Sequence, residues 1–567
     1  MQAFCDLWTA RGRAVTDTPW QEYPRPTLRR DSYLNLNGLW DFAAAAEPPA
    51  SFGRTIRVPF PPESLLSGIH EVFPEETPLW YRRSFRLPEG FVRGRVLLHF
   101  GAVDQIVEVW VNGAAVGRHT GGYFPFTLDI TDCLQDENTL LVRVEDHLSN
   151  NVLPYGKQKH ERGGIWYTPV SGIWQTVWLE SVPEAHIRAV RIDAAPERVR
   201  FAVEGASDGL LHIRTPENER IELPFADGRA ELCLAEPRLW SPEDPWLYDV
   251  TVETADDRVE TYFAIRTLDI RTVNGLPRLC LNGNPYFFHG VLDQGYWSDG
   301  LLTPASPACF ADDIRAMKAL GFNTLRKHLK VEPELFYYAC DRLGMVVFQD
   351  MVNNGDYDIH RDLELPNSGL LRLDDRALHP EPDIRAEFLR AMELTVRTRG
   401  QHPCICCWTV FNEGWGQFDS QAQYERLRAL DPTRPIDTTS GWFFCGQSDV
   451  ESVHIYAMPV RVQPGDKPIV LSEFGGYAYK APDHSFNPYA TYSYSLYPTQ
   501  EAFRRALEDL YRKEVLPARD NGLCAAIYTQ LSDVEDEVNG LLTYDRRVTK
   551  PDPARLRAMA RELTGNE

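Results

Sequence analysis

The stretch Ile405-Cys-Cys-Trp-Thr-Val-Phe-Asn412-Glu413 is an apolar run that stops abruptly on an amide and a carboxylate. A run of this length without polar alternation reads as a strand buried on both faces. Ile384–Arg399 behind it and Ser420–Ala429 ahead of it have helical spacing. Moving outward, the same unit recurs. Tyr286–Val291, Phe322–Arg326 and Met345–Asp350 read as earlier strands, separated by helical patterns at Pro307–Leu320 and Glu332–Leu343. Ile436–Thr439, Val453–Tyr456, Ile469–Ser472 and Ala525–Leu531 read as later strands, with helices at Glu501–Val515 and Pro553–Leu563. Eight strand runs, mostly followed by helices, predict a C-terminal (β/α)8 TIM barrel over 271–567 rather than a doubly wound sheet.

Upstream of the barrel no amphipathic helix interrupts residues 30–180. Arg95–Phe100, Ile106–Val111, Thr139–Val144 and Gln175–Glu180 read as strands, and Asn112-Gly113 after the second is a hairpin turn. Residues 1–182 are therefore expected to form an N-terminal jelly-roll β-sandwich of the sugar-binding type. Shorter strands at Ile187–Ile192, Leu210–Ile213, Leu247–Glu253 and Thr261–Ile265, punctuated by Pro237, Pro242 and Pro245, predict an immunoglobulin-like β-sandwich over 183–270. The junctions near 182 and 270 lack flexible Gly/Ser tracts. Both sandwiches are thus expected to buttress the barrel rather than act as tethered binding modules.

Composition narrows the function. With 59 Lys+Arg against 81 Asp+Glu, the net charge of the 567 residues is −22. That charge disfavours nucleic acid and anionic membranes as partners. No apolar run approaches the roughly 20 residues a bilayer span needs, and the first residues do not read as a secretory leader. Eleven irregularly spaced cysteines are expected to be free thiols in a cytoplasmic protein. No Walker A, dinucleotide-binding glycine fingerprint or H-E-x-x-H is present. Self-association into a homo-oligomer stays open, since no interface is legible.

Barrel chemistry gathers at the C-terminal strand ends. Those ends supply His289 and Gln294, then Arg326 and His328, Asp350, Asn412 and Glu413, Trp442, His454 and Tyr456, Glu473, and Tyr528 on the last strand. Arg326 and His328 share a face by period-two spacing. Glu413 and Glu473 dominate, because strands four and seven face one another across a barrel mouth. Two carboxyls about 5–5.5 Å apart suit a retaining glycosidase, one as nucleophile and one as acid/base. The long stretches 351–383 and 474–500, the latter rich in tyrosine, are either pocket walls or loop packing. Trp415 and Trp442 are candidates for stacking on a sugar.

The first domain carries Leu36-Asn-Gly-Leu-Trp40-Asp-Phe, Trp80-Tyr-Arg-Arg-Ser-Phe, Val109-Trp-Val-Asn-Gly113, Gly121-Gly-Tyr-Phe-Pro-Phe and Ser171-Gly-Ile-Trp-Gln. The barrel carries Gly321-Phe-Asn-Thr-Leu-Arg326, Cys340-Asp-Arg-Leu-Gly344, Asn412-Glu413 and Ser472-Glu473-Phe-Gly. With these motifs the chain resembles glycoside hydrolase family 2, which includes the bacterial β-galactosidases and β-glucuronidases. The resemblance implies Glu413 as acid/base, Glu473 as nucleophile, Asn412 on the sugar 2-hydroxyl, Tyr456 against the nucleophile and Arg326 holding it ionised. Gln294, His328, Asp350, Trp442, His454 and Tyr528 complete the expected substrate-binding set. It implies no organic cofactor.

Departures from the family refine these expectations. The metal-ligand pattern after strand three is missing, so no catalytic metal is expected. The family's uronate clamp, Asn-x-Lys, is replaced by Glu537-Val-Asn539. A glutamate there is expected to repel a uronic carboxylate, unless Lys327 or Lys330 substitutes for the clamp. The expected reaction is release of a terminal β-linked neutral sugar, galactose, from a small glycoside, with glucuronic acid as the alternative. A non-catalytic carbohydrate-binding protein on the same scaffold is the reading of a different class.

Overall fold

In Ile106–Val111 and Asn138–Glu145 every second residue is buried, which gives each strand one apolar face. The computed structural model describes residues 4–367, 374–456 and 458–565. Its first sandwich packs the four-stranded sheet Tyr33–Asn35, Val177–Val182, Arg95–Phe100 and Phe126–Asp129 against a six-stranded one, both antiparallel. Trp40, Phe42, Tyr81, Leu98 and Val142 fill the space between them. Asn112 and Gly113 both take positive φ, at 52° and 83°, as a tight two-residue hairpin requires. A second sandwich pairs a three-stranded with a four-stranded sheet between Ala189 and Phe263, over Phe201, Ile213, Val250 and Phe263.

Eight parallel strands follow: β1 (Phe288–Asp293), β2 (Thr324–Lys327), β3 (Val346–Asp350), β4 (Ile405–Asn412), β5 (Ile436–Ser440), β6 (Glu451–Ile455), β7 (Ile469–Gly475) and β8 (Leu523–Thr529). They hydrogen-bond in the order β5-β4-β3-β2-β1-β8-β7-β6. At the remaining seam, between β5 and β6, side chains replace the ladder. Ser440 Oγ lies 3.0 Å from Ser452 Oγ, and both reach Ser472 Oγ of β7, at 2.9 and 2.6 Å. Helices α1 (Ala308–Leu320), α2 (Glu334–Leu343), α3 (Pro382–Arg399), α4 (Ser420–Leu430), α5 (Gln500–Leu510) and α6 (Pro553–Thr564) wrap the outside. No helix among the described residues is long and apolar enough to cross a membrane.

Three local differences from the sequence reading have physical causes. β1 begins at Phe288, because Tyr286 N–H is engaged by Leu279 O of a preceding hairpin, Leu268–Val273 with Leu276–Leu281. That hairpin crosses residue 270, and Arg278 ties it to Leu523 O and Arg519 O at the closed end of the barrel. The helix expected over 501–515 is α-helical only to Leu510; a wider π-type turn, Tyr511–Val515, follows. Pro517 has no N–H for the carbonyl four residues back, and the wider turn accommodates its ring.

One excursion of the first sandwich shapes the barrel mouth. Tyr155 donates its N–H to Asn353 O at 3.0 Å and its hydroxyl to Gly355 O at 2.7 Å, both just past β3. Asn353 Nδ2 returns a bond to Gly156 O at 3.2 Å. Residues 153–158 are thereby laid across the ends of β2 and β3.

Candidate active site

Arg326 is almost wholly buried at the end of β2 and radiates to five partners, one of them His454 Nε2 at 3.3 Å from Nη1. Nε donates to Asp350 Oδ1 of β3 at 3.0 Å, and Nη2 to Asn412 Oδ1 of β4 at 2.8 Å. Nη1 donates to Glu473 Oε1 and Ser472 O of β7, each at 3.1 Å. Asp350 uses its second oxygen on His328 Nδ1, at 2.7 Å. The guanidinium therefore sets the spacing of three strand ends at once, which a planar fork does better than an ammonium. Among the described residues Asn412 gives only its oxygen to this network, so its NH2 is a donor free to meet a ligand.

Glu473 owes its direction to an irregularity. The β7–β8 register slips between Leu471 and Phe474, and the β6–β7 register slips at Val453/His454. Such a bulge re-aims a side chain without ending the strand, so β7 runs on to Gly475 past the Ser472 end expected from sequence. Glu413 sits just beyond β4 at φ 54°, a left-handed conformation uncommon for a non-glycine residue. Its N–H is held by Ser440 O at 2.8 Å.

His454 joins the two carboxylates. Its Nδ1 is 2.7 Å from Glu413 Oε1 and 3.7 Å from Glu473 Oε2. Tyr456 donates its hydroxyl to Glu473 Oε2, and that hydroxyl lies 2.9 Å from Thr529 Oγ1 of β8. One oxygen of each glutamate and His454 Nδ1 all fall within 4.8 Å of one another. Among the described residues this is the one group able to gather on a metal ion, and its members are already bonded to each other, to Arg326 and to Tyr456. Electrostatics act strongly on the buried carboxyls of this network. Burial alone would keep Glu473 protonated, but His454, Arg326 and His328 overcome it and hold Glu473 at about 2. Asp350 is likewise buried, yet Arg326 and His328 keep it below the usual range. Asp437 on β5 is the opposite case, pushed up to about 6 by burial.

The structure thus brings Arg326, His328, Asp350, Asn412, Glu413, His454, Tyr456 and Glu473 into one network. Trp442 stands at its edge, 5.7 Å from His454 ring to ring, with Nε1 donating to Asp362 O at 3.0 Å. Gln294 is buried beyond β1 and shares no hydrogen bond with the network among the described residues. Tyr528 does not belong to it. Its ring packs in the outer layer against Phe474, and its hydroxyl donates to Tyr477 O at 3.1 Å. Alternation along β8 turns Thr529 inward instead. His289 also faces outward, to Tyr511 Oη at 2.8 Å. Trp415 is buried, with Nε1 on Tyr155 Oη at 3.1 Å and Trp166 edge-on at 4.6 Å, so it supports the wall rather than baring a face. In the 474–500 loop Tyr494 stacks on Tyr456 with ring centroids 3.6 Å apart. Part of the 351–383 stretch, residues 368–373, lies outside the described residues.

Two expectations about charge are corrected. Lys327 Nζ is bound to Asp293 Oδ2 at 2.6 Å and Glu332 Oε1 at 2.8 Å, with the Phe336 ring beneath it. Lys330 Nζ is bound to Gly295 O, Leu302 O and Glu332. Neither can stand in as a clamp. Glu537 is not a bare repelling charge either. Tyr167 donates to its Oε2, and Asn539 Nδ2 to its Oε1 at 3.0 Å. Residues that sequence reasoning passed over are Thr529, the Ser440/Ser452/Ser472 cluster, and Lys157. The last is a buried lysine of the 153–158 excursion whose ammonium lies 5.5 Å from the Trp415 ring centroid.

Comparison with known proteins agrees with this architecture. Residues 68–183 match the family description "Glycosyl hydrolases family 2, sugar binding domain", 183–266 "Glycosyl hydrolases family 2", and 274–508 "Glycosyl hydrolases family 2, TIM barrel domain". A β-glucuronidase of Felis catus is 25% identical over 479 residues, 73% of this chain and 69% of that protein. A β-galactosidase of Thermoanaerobacter pseudethanolicus is 27% identical over 447 residues, 72% of this chain and 56% of that protein. The solved structure of a β-D-glucuronidase of Dictyoglomus thermophilum superposes with a TM-score of 0.74 at 18% identity, over 96% of this chain and 99% of that one, and so shares the fold. The chain belongs to glycosyl hydrolase family 2, the exo-β-glycosidases that hydrolyse O-glycosyl bonds.

Proposed function

We propose that the protein is a retaining exo-β-glycosidase that removes a terminal β-linked uronic acid of the glucuronate type. The observation that carries the mechanism is the approach of Glu413 and Glu473 to within 4.8 Å, with Glu473 ionised and Arg326 fixed beneath it. An oxygen-to-oxygen approach this close supports the short carboxyl separation of retaining enzymes over the roughly 6.5–9.5 Å that inverting enzymes need for an intervening water. Glu473 attacks the anomeric carbon as the bond to the leaving oxygen breaks. Glu413 gives its proton to that oxygen. The resulting glycosyl ester on Glu473 is opened by water, whose proton returns to Glu413. Asn412 offers its NH2 to the 2-hydroxyl, a contact that strengthens at the transition state.

The choice of sugar rests on other grounds. Galactose was favoured by the missing clamp lysine and by a glutamate in its place. Glu537 is engaged by Tyr167 and Asn539, which weakens the second ground. The β-glucuronidase relatives support a uronic acid instead. A β-galactoside is the second reading, supported by the relative of that name.

The test is initial rates on β-linked nitrophenyl glucuronide, galacturonide, galactoside and glucoside, with Glu473→Gln beside the wild type. The glucuronide is expected to lead, the first-formed sugar to be the β-anomer by NMR, and the variant to lose more than about 1,000-fold in kcat. An α-anomer first, or an active Glu473→Gln, refutes the mechanism. A leading galactoside refutes only the sugar.

A further inference from the structure

Arg326, Lys327 and Lys330 at the barrel mouth each have hydrogen-bond or carboxylate partners. Arg326 has its carboxylates and amide, and Lys327 and Lys330 have Glu332 and its neighbours. Lys159 rests on the Trp166 ring at 3.6 Å. Lys157 is different. It is only 8% exposed, yet among the described residues its ammonium has no hydrogen bond and no carboxylate at salt-bridge distance. Its stem is covered while the ammonium keeps contact with solvent, so a ligand anion can reach it and displace only water.

Its location defines where that acceptor must come from. The Trp415 ring beneath it belongs to the residue two beyond Glu413. Its charge is felt by His328, which is bonded to Asp350 in the catalytic network, and by Glu537. The backbone is fixed on both sides: Tyr155 by Asn353 and Gly355, and Lys157 O by the N–H of Tyr167. The backbone that carries the ammonium is therefore fixed in place. Glu537 cannot turn to meet it without releasing Tyr167 and Asn539.

We propose that Lys157, carried into the barrel mouth by the first sandwich, binds the C6 carboxylate of the uronic acid. The inference rests on the uronide reading above, and it assigns the specificity residue to a domain other than the barrel. Glu537 is engaged by Tyr167 and Asn539 and so does not claim the lysine for itself.

The experiment compares kcat/KM for nitrophenyl β-glucuronide and β-glucoside, which differ only at C6, in the wild type, Lys157→Met, Lys157→Arg and Lys159→Met. The glucuronide/glucoside ratio is expected to fall about 10- to 100-fold in Lys157→Met, the range of a lost bond to a charged group. It should recover in part in Lys157→Arg and stay level in Lys159→Met. A merely structural role would lower both rates together and leave the ratio in place. A wild type that prefers glucuronide while Lys157→Met keeps that preference overturns the assignment of Lys157 alone. A wild type that prefers glucoside overturns the uronide reading and this inference with it.

Discussion

Replacing Arg326 by methionine should convert the Glu473 carboxyl from a permanent anion into a group that titrates in the working range. Glu473 is held near 2 against an ordinary value of 4.5, a difference equivalent to about 3 kcal/mol. Because the folded value is depressed, that stabilisation is fully present above about pH 4.5. It is lost as pH falls toward 2. Removing the guanidinium leaves Asp350 and Glu473 buried with one partner fewer each. The expected cost is about 3–5 kcal/mol of folding stability. The acid limb of kcat/KM, which reports groups of the free enzyme, should rise by about 1–2 pH units, the range for a carboxylate that loses an adjacent cation. The assay is kcat/KM on the preferred nitrophenyl glycoside from pH 3 to 8, with urea unfolding at pH 7. Arg326→Lys keeps a charge but cannot reach every acceptor, so it should fall between wild type and methionine and remain folded. An acid limb within about 0.3 unit of wild type in Arg326→Lys, with stability unaltered, refutes the claim that this guanidinium holds Glu473 ionised.

Two further outcomes are expected. Glu413→Gln should keep the glycosylation rate on dinitrophenyl substrates within about tenfold of wild type but lose about 100- to 10,000-fold on alkyl glycosides, whose poor leaving groups need a proton; equal losses on both classes would count against Glu413 as the acid. Burial raises Glu63 to about 8 although Ser171 donates to it. A carboxyl with a raised folded value stabilises fully below about 4.5, and that contribution is lost as pH rises through 8. Glu63→Gln should therefore gain about 2–4 kcal/mol relative to wild type between pH 5 and 8, and parallel unfolding profiles of the two proteins would refute this.

How much was legible follows from how each residue is positioned. Eight apolar runs ending in titratable groups identify both the barrel and its mouth, because strand ends and chemistry coincide there. Arg326 and His328 were placed on one face by alternation, and the same alternation sends Lys327 to the other, so its candidacy as a clamp conflicted with the spacing from the outset. Tyr528 was misplaced for a deeper reason. Leu523–Thr529 is buried on both faces, and a strand without polar alternation carries no phase to say which residue points inward. Glu473 was found from its position after an apolar run, although the bulge that aims it leaves no mark in the sequence. Lys157 was invisible, since it lies on an aperiodic excursion of a different domain, placed by tyrosine and asparagine bonds of long sequence separation.

The excursion carrying Lys157 also has a consequence for synthesis. A chain emerging from a ribosome at about 5–20 residues per second exposes Lys157 about 20–75 s before Thr529, the β8 residue that meets Tyr456. Until Asn353, Gly355 and Trp415 emerge, the first sandwich has its own core but nothing to seat Tyr155 or Trp166, and until β8 emerges β7 lacks one of its two neighbours. The polar and aromatic underside of residues 153–166 is then an open surface on a nascent chain. Activity is in this sense a property of the last strand to arrive. A message truncated between β7 and β8 would encode both glutamates and still yield no working pocket.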